Sequence, residues 1–235
     1  MAQPIVGICS NDVDRFELLL RLRGDDGELV PPGTFLYVAE RFDLIQNIDR
    51  WVFEQAARLL SVHADAGCDI GLNVNFSGKT MSDLKILADM SAILGRHPIP
   101  ENRLVVEVTE TAAIVNIERA REVARGLRDL GCRFALDDFG AGFASFYYLK
   151  YLEFDYLKID GEFIKKLDAN TTDRLVVQSV VQIAKGLGAQ TIAEFVSNDT
   201  VLGCLRELEV DYGQGYHLGR PEPIADILPA FSHAR

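Results

Sequence analysis

Two adjacent carboxylates in the middle of the chain are the residues best placed to do chemistry. Asp137 and Asp138 follow the apolar run Phe134-Ala135-Leu136 and lead into a glycine-rich turn that starts at Gly140. Two neighbouring anions repel each other, so a fold keeps them together near a core only when a positive charge lies between them. Carboxylate oxygens favour a hard divalent cation such as Mg²⁺ or Mn²⁺. Taken alone, the stretch leaves a second interpretation open, a solvated turn after an edge strand.

Strand-like runs alternate with helical runs along the chain. The strand candidates are residues 15–22, 71–75, 104–109, 133–137, 156–159 and 191–193. The helix candidates are residues 33–40, 48–64, 82–94, 116–131, 171–187 and 199–208, with Asn116 and either Thr171 or Thr172 as caps. Apolar strands that alternate with helices through short connections predict a parallel sheet flanked by helices.

The polar residues of the strands decide between a closed barrel and an open, doubly wound sheet. Nearly every strand carries a charged or amide residue at its carboxyl end, among them Asn75, Glu107 and Glu194. Side chains alternate along a strand, so Asn73 shares a face with Asn75, and Val105 shares a face with Glu107. In a barrel the carboxyl ends converge on one mouth, where such enzymes place their chemistry. We therefore predict a (β/α)8 barrel.

Composition and charge limit the partners. The 235 residues include 48% hydrophobic residues, enough for a large core, and carry a net charge of −11. This charge argues against sequence-independent binding of duplex nucleic acid but does not exclude a nucleotide held by a metal. No apolar run approaches membrane-spanning length and no signal peptide is recognisable, so we expect a cytoplasmic chain without membrane contact. The four cysteines, Cys9, Cys68, Cys132 and Cys204, are predicted to be reduced residues of the core. Trp51 is also predicted to lie in the core.

Seven short motifs occur in a fixed order along the chain. They are Gln3-Pro4-Ile5, Glu17-Leu18-Leu19-Leu20-Arg21, Asn73-Val74-Asn75-Phe76-Ser77, Glu107-Val108-Thr109-Glu110, Asp137-Asp138-Phe139-Gly140, Lys158-Ile159-Asp160, and Ala193-Glu194 with Gln214-Gly215-Tyr216. In this order they resemble the QPI, EALLR, VNLS, ExTE, DDFG, KID and AE with QGY motifs of the EAL-domain family of cyclic di-GMP-specific phosphodiesterases. The resemblance runs from Gln3 to about Pro223. It implies a TIM-like (β/α)8 barrel with an antiparallel first strand, in agreement with the barrel predicted above.

The resemblance also implies a site for two divalent cations, Mg²⁺ or Mn²⁺. One cation would take four oxygen ligands: Glu17, Asn75, Glu107 and Asp137. Asp137 would bridge to a second cation, which would also take Asp138 and Glu194. Two such cations can activate a shared water and neutralise the phosphate that the water attacks.

Three residues are implied to take part in catalysis. Lys158 would orient the attacking water or stabilise developing charge. Its alternative role is a salt bridge to Asp160. Glu194 would act as a base if only one metal is bound. Glu110 would brace the turn that starts at Gly140, a loop that in this family couples dimer contacts to the metal site.

Four residues are implied to bind the substrate, cyclic di-GMP: Gln3, Arg21, Asp160 and Gln214. Arg21 would meet a phosphate oxygen, and Gln214 would meet a guanine edge or a phosphate. For Arg21 the alternative is an ion pair inside the acidic mouth.

The chain departs from the family pattern in three places. Leu18 stands where Ala is usual in the signature, on the outward face by parity, so we expect repacking without loss of function. Ala141 and Ala144 stand where Thr and Ser are usual, which removes two hydroxyls that could hold the loop. Phe195-Val196-Ser197 stands where Gly-Val-Glu is usual after Glu194. None of these departures affects an implied metal ligand.

Three functions follow as hypotheses. The first is a phosphodiesterase that opens cyclic di-GMP to linear pGpG, and the complete set of metal ligands favours it. The second is a non-catalytic cyclic di-GMP receptor, and the third is another metal-dependent barrel enzyme with a different anionic substrate. The resemblance further implies a homodimer through the aromatic loop after Asp138. We also expect residues 1–235 to be a single EAL-type domain excised from a longer multidomain signalling protein, because the chain is strand-like from Gln3 onward.

Overall fold

The computed structural model describes residues 1–67, 69–140 and 148–227. The strands of this part of the chain are β1 (Ala2–Gly7), β2 (Val13–Leu18), β3 (Leu22–Arg23), β4 (Leu29–Val30), β5 (Gly71–Asn75), β6 (Leu104–Thr109), β7 (Arg133–Phe139), β8 (Tyr156–Ile159), β9 (Gln190–Ala193) and β10 (Tyr212–Gly213). The helices are α1 (Pro32–Arg41), α2 (Ile45–Asp65), α3 (Gly78–Met81), α4 (Ile86–Arg96), α5 (Glu110–Val115), α6 (Ile117–Asp129), α7 (Gly161–Ile164), α8 (Thr171–Leu187), α9 (Asp199–Glu207) and α10 (Ile224–Ile227).

Eight of the described strands close into a barrel in the order β1-β10-β9-β8-β7-β6-β5-β2. Strand β1 runs antiparallel to both of its neighbours, β2 and β10, whereas the other strand pairs of the barrel are parallel. The predicted barrel and its antiparallel first strand are confirmed. The short β3–β4 hairpin lies outside the barrel.

The core has two layers, which follow from the alternation of side chains along the strands. The outward faces of the strands pack against the helices through residues such as Leu104, Val106 and Leu157, all fully buried. Each such side chain contributes about 1.5–3 kcal/mol to stability. A smaller cluster fills the barrel interior below the mouth: Ile5, Val105, Ala135, Tyr156 and Ile192. Nearer the mouth of the barrel, the inward-facing strand positions carry polar residues instead.

Helix ends follow local capping chemistry. The side chain of Asn116 accepts a hydrogen bond from the backbone N–H of Arg119, so the predicted cap of α6 is confirmed. Helix α8 is capped by Asn170, one residue before the predicted Thr171 or Thr172. It ends at Gly188, whose φ of +75° suits a glycine.

Three expectations need correction. The strand predicted over residues 15–22 is shorter, since β2 ends at Leu18. The chain then leaves the barrel, and Arg21 lies in a loop at the mouth. Cys9 is exposed and Cys204 is only partly buried, whereas Cys132 is buried as predicted; Cys68 lies outside the described residues. Trp51 is 54% exposed, because it lies on the outer side of α2, away from the buried Phe53. In the described part of the chain, every helix is too short or too polar to cross a membrane.

Candidate active site

Lys158 lies at the centre of the barrel mouth. It is the third residue of β8, and its side chain is only 1% exposed. Its ammonium nitrogen lies 2.8 Å from Glu107, 2.9 Å from Glu194, 3.1 Å from Asp137 and 3.5 Å from Glu17. The alternative salt bridge to Asp160 is not formed: the ammonium pairs with these four carboxylates, and Asp160 instead caps α7.

Three of the four carboxylates lie in three different strands, and the fourth directly follows another strand. Glu17 lies in β2, Glu107 in β6 and Asp137 in β7, while Glu194 follows the last residue of β9. The strands that carry them run parallel, so their carboxyl ends meet at the same end of the barrel. The register places Asn75 opposite Glu107 on the neighbouring strand. The structure therefore brings the implied ligands of the first cation together.

Amide side chains orient the carboxylates of the mouth. Asn75 donates a hydrogen bond of 2.7 Å to Glu17, and Gln214 donates a second bond of 2.7 Å to the other oxygen of Glu17. Asn73, which is fully buried, donates a bond of 2.6 Å to Glu107. The candidate residues chosen from the sequence omit Asn73, although alternation places it on the same face as Asn75. Its amide fixes the orientation of a carboxylate that also binds Lys158.

The charges of the mouth do not balance within the protein. One ammonium group faces four carboxylates, so three negative charges stay uncompensated if all four are ionised. Burial raises the pKa of Glu107 to about 8 and the pKa of Glu194 to about 7, although Lys158 opposes both shifts. Burial would lower the pKa of Lys158, but the surrounding carboxylates raise it well above its ordinary value. The site thus requires either bound protons or additional cations.

Glu17 behaves differently from its neighbours. Burial alone would raise its pKa, but the charge of Lys158 and the hydrogen bonds from Gln214 and Asn75 outweigh burial and lower it. Glu17 is therefore ionised over the whole neutral range and is available as an anionic ligand.

A second acidic group adjoins the first. Asp137, Asp138 and Glu194 each offer a carboxylate oxygen, and these oxygens lie within 4.8 Å of one another. Asp138 has a φ of +54°, and its backbone N–H bonds to Asp137 at 2.9 Å. Burial, followed by the nearby charges of Asp137 and Asp160, raises the pKa of Asp138. This oxygen-only donor set fits a hard divalent cation, and its three residues are those implied for the second metal.

Glu110 contacts the start of the turn that follows β7. It is the first residue of α5 and is buried, and its carboxylate accepts a bond of 3.3 Å from the N–H of Gly140. Burial raises the pKa of Glu110, while the bond from Gly140 opposes the rise. Residues 141–147, which include Ala141, Ala144 and most of the aromatic residues of the predicted dimer loop, lie outside the described part of the chain.

A cavity of about 410 Å³ opens beside the carboxylates. Glu17 and Glu194 line it together with three of the four residues implied to bind substrate: Gln3, Arg21 and Gln214. Gln3 and Gln214 are buried in its wall, where Gln214 donates to Gln3 at 3.3 Å and Gln3 donates to the carbonyl of Gly219 at 3.1 Å. The carbonyl oxygen of the Gln214 side chain is buried without a hydrogen-bond partner among the described residues.

Arg21 and Asp160 differ in their relation to this cavity. The guanidinium of Arg21 donates to the carbonyl of Leu20 at 2.7 Å, and no carboxylate of the described residues forms an ion pair with it. The alternative ion pair in the acidic mouth is therefore not formed. Asp160 is not among the cavity-lining residues, and it caps α7 by accepting a bond of 2.6 Å from the N–H of Glu162. It still lies near enough to Asp138 to raise the pKa of that residue.

Fold and site together define a barrel protein with an acidic cluster, able to hold divalent cations, at the carboxyl ends of its strands. The family model for the EAL domain matches residues 1–221, and the chain belongs to the EAL-domain family.

Relatives in this family carry informative names. The chain is 39% identical over 230 residues to cyclic di-GMP phosphodiesterase PdeB of Shewanella oneidensis. The aligned region covers 97% of this chain and 27% of that protein. It is 36% identical over 228 residues to cyclic di-GMP phosphodiesterase PdeF of Escherichia coli. Here the aligned region covers 97% of this chain and 30% of that protein. The chain thus spans less than a third of the length of these curated relatives.

Solved structures agree with the fold. The PaMucR phosphodiesterase in complex with c-di-GMP matches with a TM-score of 0.90 at 32% identity, covering 97% of this chain and 92% of that chain. The FimX EAL domain from Pseudomonas aeruginosa bound to c-di-GMP matches with a TM-score of 0.86 at 29% identity, covering 94% of this chain and 89% of that chain.

Proposed function

We propose that this chain hydrolyses cyclic di-GMP to linear pGpG in the cytoplasm, as an enzyme of bacterial second-messenger signalling. The observation that carries the proposal is the convergence of Glu17, Glu107, Asp137 and Glu194 on Lys158 beside a second acidic group at Asp138. The names of PdeB and PdeF support the same substrate and reaction. We also propose that residues 1–235 act as one domain of a longer signalling protein, in keeping with the greater length of those relatives.

The proposed cofactors are two divalent cations, Mg²⁺ or Mn²⁺. The first would be held by Glu17, Asn75, Glu107 and Asp137, and the second by Asp137, Asp138 and Glu194. When bound, the cations would lower the pKa of water and offset the charge of the phosphate. The oxygen-only ligand set and the excess negative charge of the mouth support this assignment.

The residues of the chain have separate tasks in the proposed reaction. A water oxygen attacks one phosphorus, and the bond from that phosphorus to a ribose O3′ breaks. The water gives up one proton and the departing O3′ takes one up, so the product carries one 5′-phosphate and one free 3′-hydroxyl. Lys158 is a fixed donor beside Asp137 and Glu194, where it can stabilise charge that develops on the phosphate. Burial raises the pKa of Glu194 to about 7 when no cation is bound to it, so Glu194 would act as the base, taking up a proton near neutral pH, if only one metal is bound.

Substrate contacts form a further part of the proposal. Arg21 lines the cavity without an ion-pair partner among the described residues, so its guanidinium is available to a phosphate oxygen. Gln214 has a side-chain carbonyl oxygen without a partner among those residues, and its side-chain amide nitrogen donates a hydrogen bond to Gln3. Asp160 would contact the ligand near Asp138, whose pKa it helps to raise. These roles rest on position and on the resemblance of the motifs.

We also propose that the chain forms a homodimer through the loop after Asp138. The aromatic residues that motivate this proposal are Phe143, Phe146, Tyr147 and Tyr148. Sedimentation at tens of micromolar protein should show a dimer. A monomer with undiminished activity would contradict the proposal.

Product analysis tests the function. Purified protein incubated with cyclic di-GMP and Mg²⁺ or Mn²⁺ should yield pGpG on chromatography, and an excess of chelator should stop the conversion. Full conversion in chelator would contradict the metal assignment. Tight binding of cyclic di-GMP without conversion under any divalent cation would identify the receptor alternative instead.

A further inference from the structure

Phe195 has an unusual backbone conformation for its type. It follows Glu194 directly and has a φ of +55°, in the left-handed region that large side chains rarely adopt. Glycine would occupy this position without strain. The fold nevertheless holds a phenyl ring here, next to a carboxylate that contacts Lys158.

Two residues hold the ring of Phe195 from the side of α7. A Cβ atom added to Gly161 would lie 2.1 Å from the ring, so the ring packs directly on the glycine backbone. The ammonium of Lys165 lies 4.6 Å from the ring centroid, at cation–π distance. Despite these contacts Phe195 remains 57% exposed. The ring is thus held in place while much of its surface faces solvent.

The exposed ring borders the candidate active site. Phe195 lines the cavity together with Glu17, Glu194 and Arg21. Tyr216, which is 65% exposed, lines the same cavity. An aromatic surface beside a cationic side chain and a candidate metal site matches a ligand in which a flat base is joined to a phosphate.

We propose that Phe195 is a stacking surface for one base of the substrate and sets the affinity of the site for a planar purine. This inference rests on the proposed function, because it assigns the cavity to a cyclic dinucleotide. Stacking on an aromatic ring is tolerant of base identity, since every base presents a π-face. Phe195 therefore strengthens binding without selecting guanine over adenine.

The Phe195→Leu variant isolates the aromatic face. Leucine keeps an apolar side chain and meets the same backbone constraint as phenylalanine, so it removes the π-face with little other change. Phe195→Tyr retains the face and is the rescue variant. Phe42→Leu is the matched control, because Phe42 is 65% exposed at the end of α1 and is not among the residues lining the cavity.

Two measurements on each protein decide the matter: KM and kcat for cyclic di-GMP with Mg²⁺, and the Kd of cyclic di-GMP by calorimetry in chelator. Phe195→Leu should raise KM and Kd about tenfold with kcat within about twofold, because stacking of one base supports ground state and transition state alike. Phe195→Tyr and Phe42→Leu should behave like the wild type. The Kd of cyclic di-AMP should rise by the same factor in Phe195→Leu.

Other outcomes overturn the inference in distinguishable ways. Unchanged KM and Kd in Phe195→Leu would mean that the ring only packs on α7. A loss confined to kcat would mean that Phe195 positions Glu194. If the wild type binds cyclic di-GMP but does not hydrolyse it, the proposed function fails while Kd still tests the stack. A wild type that neither binds nor hydrolyses the ligand overturns both.

Discussion

Asp138 and Asp137 are adjacent in the chain but differ in what they contact. Asp137 lies 3.1 Å from Lys158 and belongs to both acidic groups of the mouth, whereas Asp138 belongs only to the second. The left-handed backbone at Asp138, with a φ of +54°, turns the chain at the end of β7. We therefore propose that Asp138 would bind only the second cation.

The Asp138→Asn variant tests that division of roles. The substitution keeps the shape of the side chain and removes one negative charge, so the second cation should bind weakly. Affinity for cyclic di-GMP should stay within about tenfold, roughly 1.4 kcal/mol, because Arg21 and Gln214 remain. Turnover should fall by several orders of magnitude, since the attacking water is no longer activated. A titration and a rate measurement on the same sample give both quantities.

Asp43→Asn is the matched control for this substitution. Asp43 also has a left-handed backbone, with a φ of +57°, but it lies at the surface between α1 and α2. It should leave both turnover and affinity unchanged. Turnover close to wild type in Asp138→Asn would make Asp138 a structural turn residue. Loss of binding together with turnover would show that the second cation mainly holds substrate.

At the scale of elements, the end of β5 is fixed by a residue of α2. Asp49 accepts a bond of 2.9 Å from the backbone N–H of Ser77, and it also accepts bonds from the hydroxyls of Ser77 at 2.7 Å and Thr80 at 2.6 Å. Burial raises the pKa of Asp49, although these three donors oppose the rise. Because Ser77 follows Asn75 by two residues, this network holds the turn next to an implied metal ligand.

Removal of that network should destabilise the fold. Asp49→Ala leaves buried donors unpaired and should lower the free energy of unfolding by about 2–3 kcal/mol. Asp49→Asn keeps an acceptor oxygen and should lose less. Urea unfolding measures both, with Asp89→Ala as the control, because Asp89 pairs with Arg50 at an exposed position. A loss in Asp49→Ala no larger than that of the control would contradict the role given to Asp49.

The barrel strands and the carboxylate positions could be predicted because both depend on local periodicity. Alternation along β6 and β7 places Glu107 and Asp137 on inward positions regardless of their partners. Strand β10 could not be predicted, because its two residues are defined only by pairing with distant strands. The partners of Lys158 come from four other parts of the chain, so no local pattern contains them.

Side chains that face away from the periodic pattern were also hard to assign. Trp51 lies among apolar residues in the sequence, yet the buried face of α2 is set by residues such as Asp49, Phe53 and Ala56. A residue two positions from Asp49 and Phe53 points to the opposite side of a helix with 3.6 residues per turn. The ring of Phe195 likewise packs on Gly161, which is distant in sequence, so no local pattern predicts its position.

At the scale of the whole molecule, the excess negative charge of the mouth predicts how stability depends on pH. The pKa of Glu107 rises from 4.5 to about 8 and that of Glu194 from 4.5 to about 7, chiefly through burial. Between these values the folded protein binds more protons than the unfolded chain, so the free energy of unfolding falls as pH rises. Lys158 is charged in both the folded and the unfolded protein over this pH range, so it does not change the direction in which the free energy of unfolding varies with pH.

Thermal unfolding in chelator checks this expectation. The Tm of the metal-free protein should fall as pH rises from about 5 to about 8.5, in the window given by the raised pKa values. Mg²⁺ or Mn²⁺ should flatten the profile, because bound cations replace protons as compensating charge. Glu194→Gln should reduce the slope in chelator, since glutamine does not titrate. A metal-free Tm that is constant or rises over this range would contradict the charge balance described for the mouth.

We propose that water opens one phosphodiester of cyclic di-GMP at this acidic mouth. Mass spectrometry of the product formed with Mg²⁺ in ¹⁸O-enriched water tests it most directly. We expect linear pGpG that carries a single ¹⁸O, located in its 5′-phosphate, because the water oxygen bonds to phosphorus and the ribose O3′ leaves. Unchanged cyclic di-GMP with every divalent cation, or a linear product without the label in its phosphate, would contradict the proposed hydrolysis.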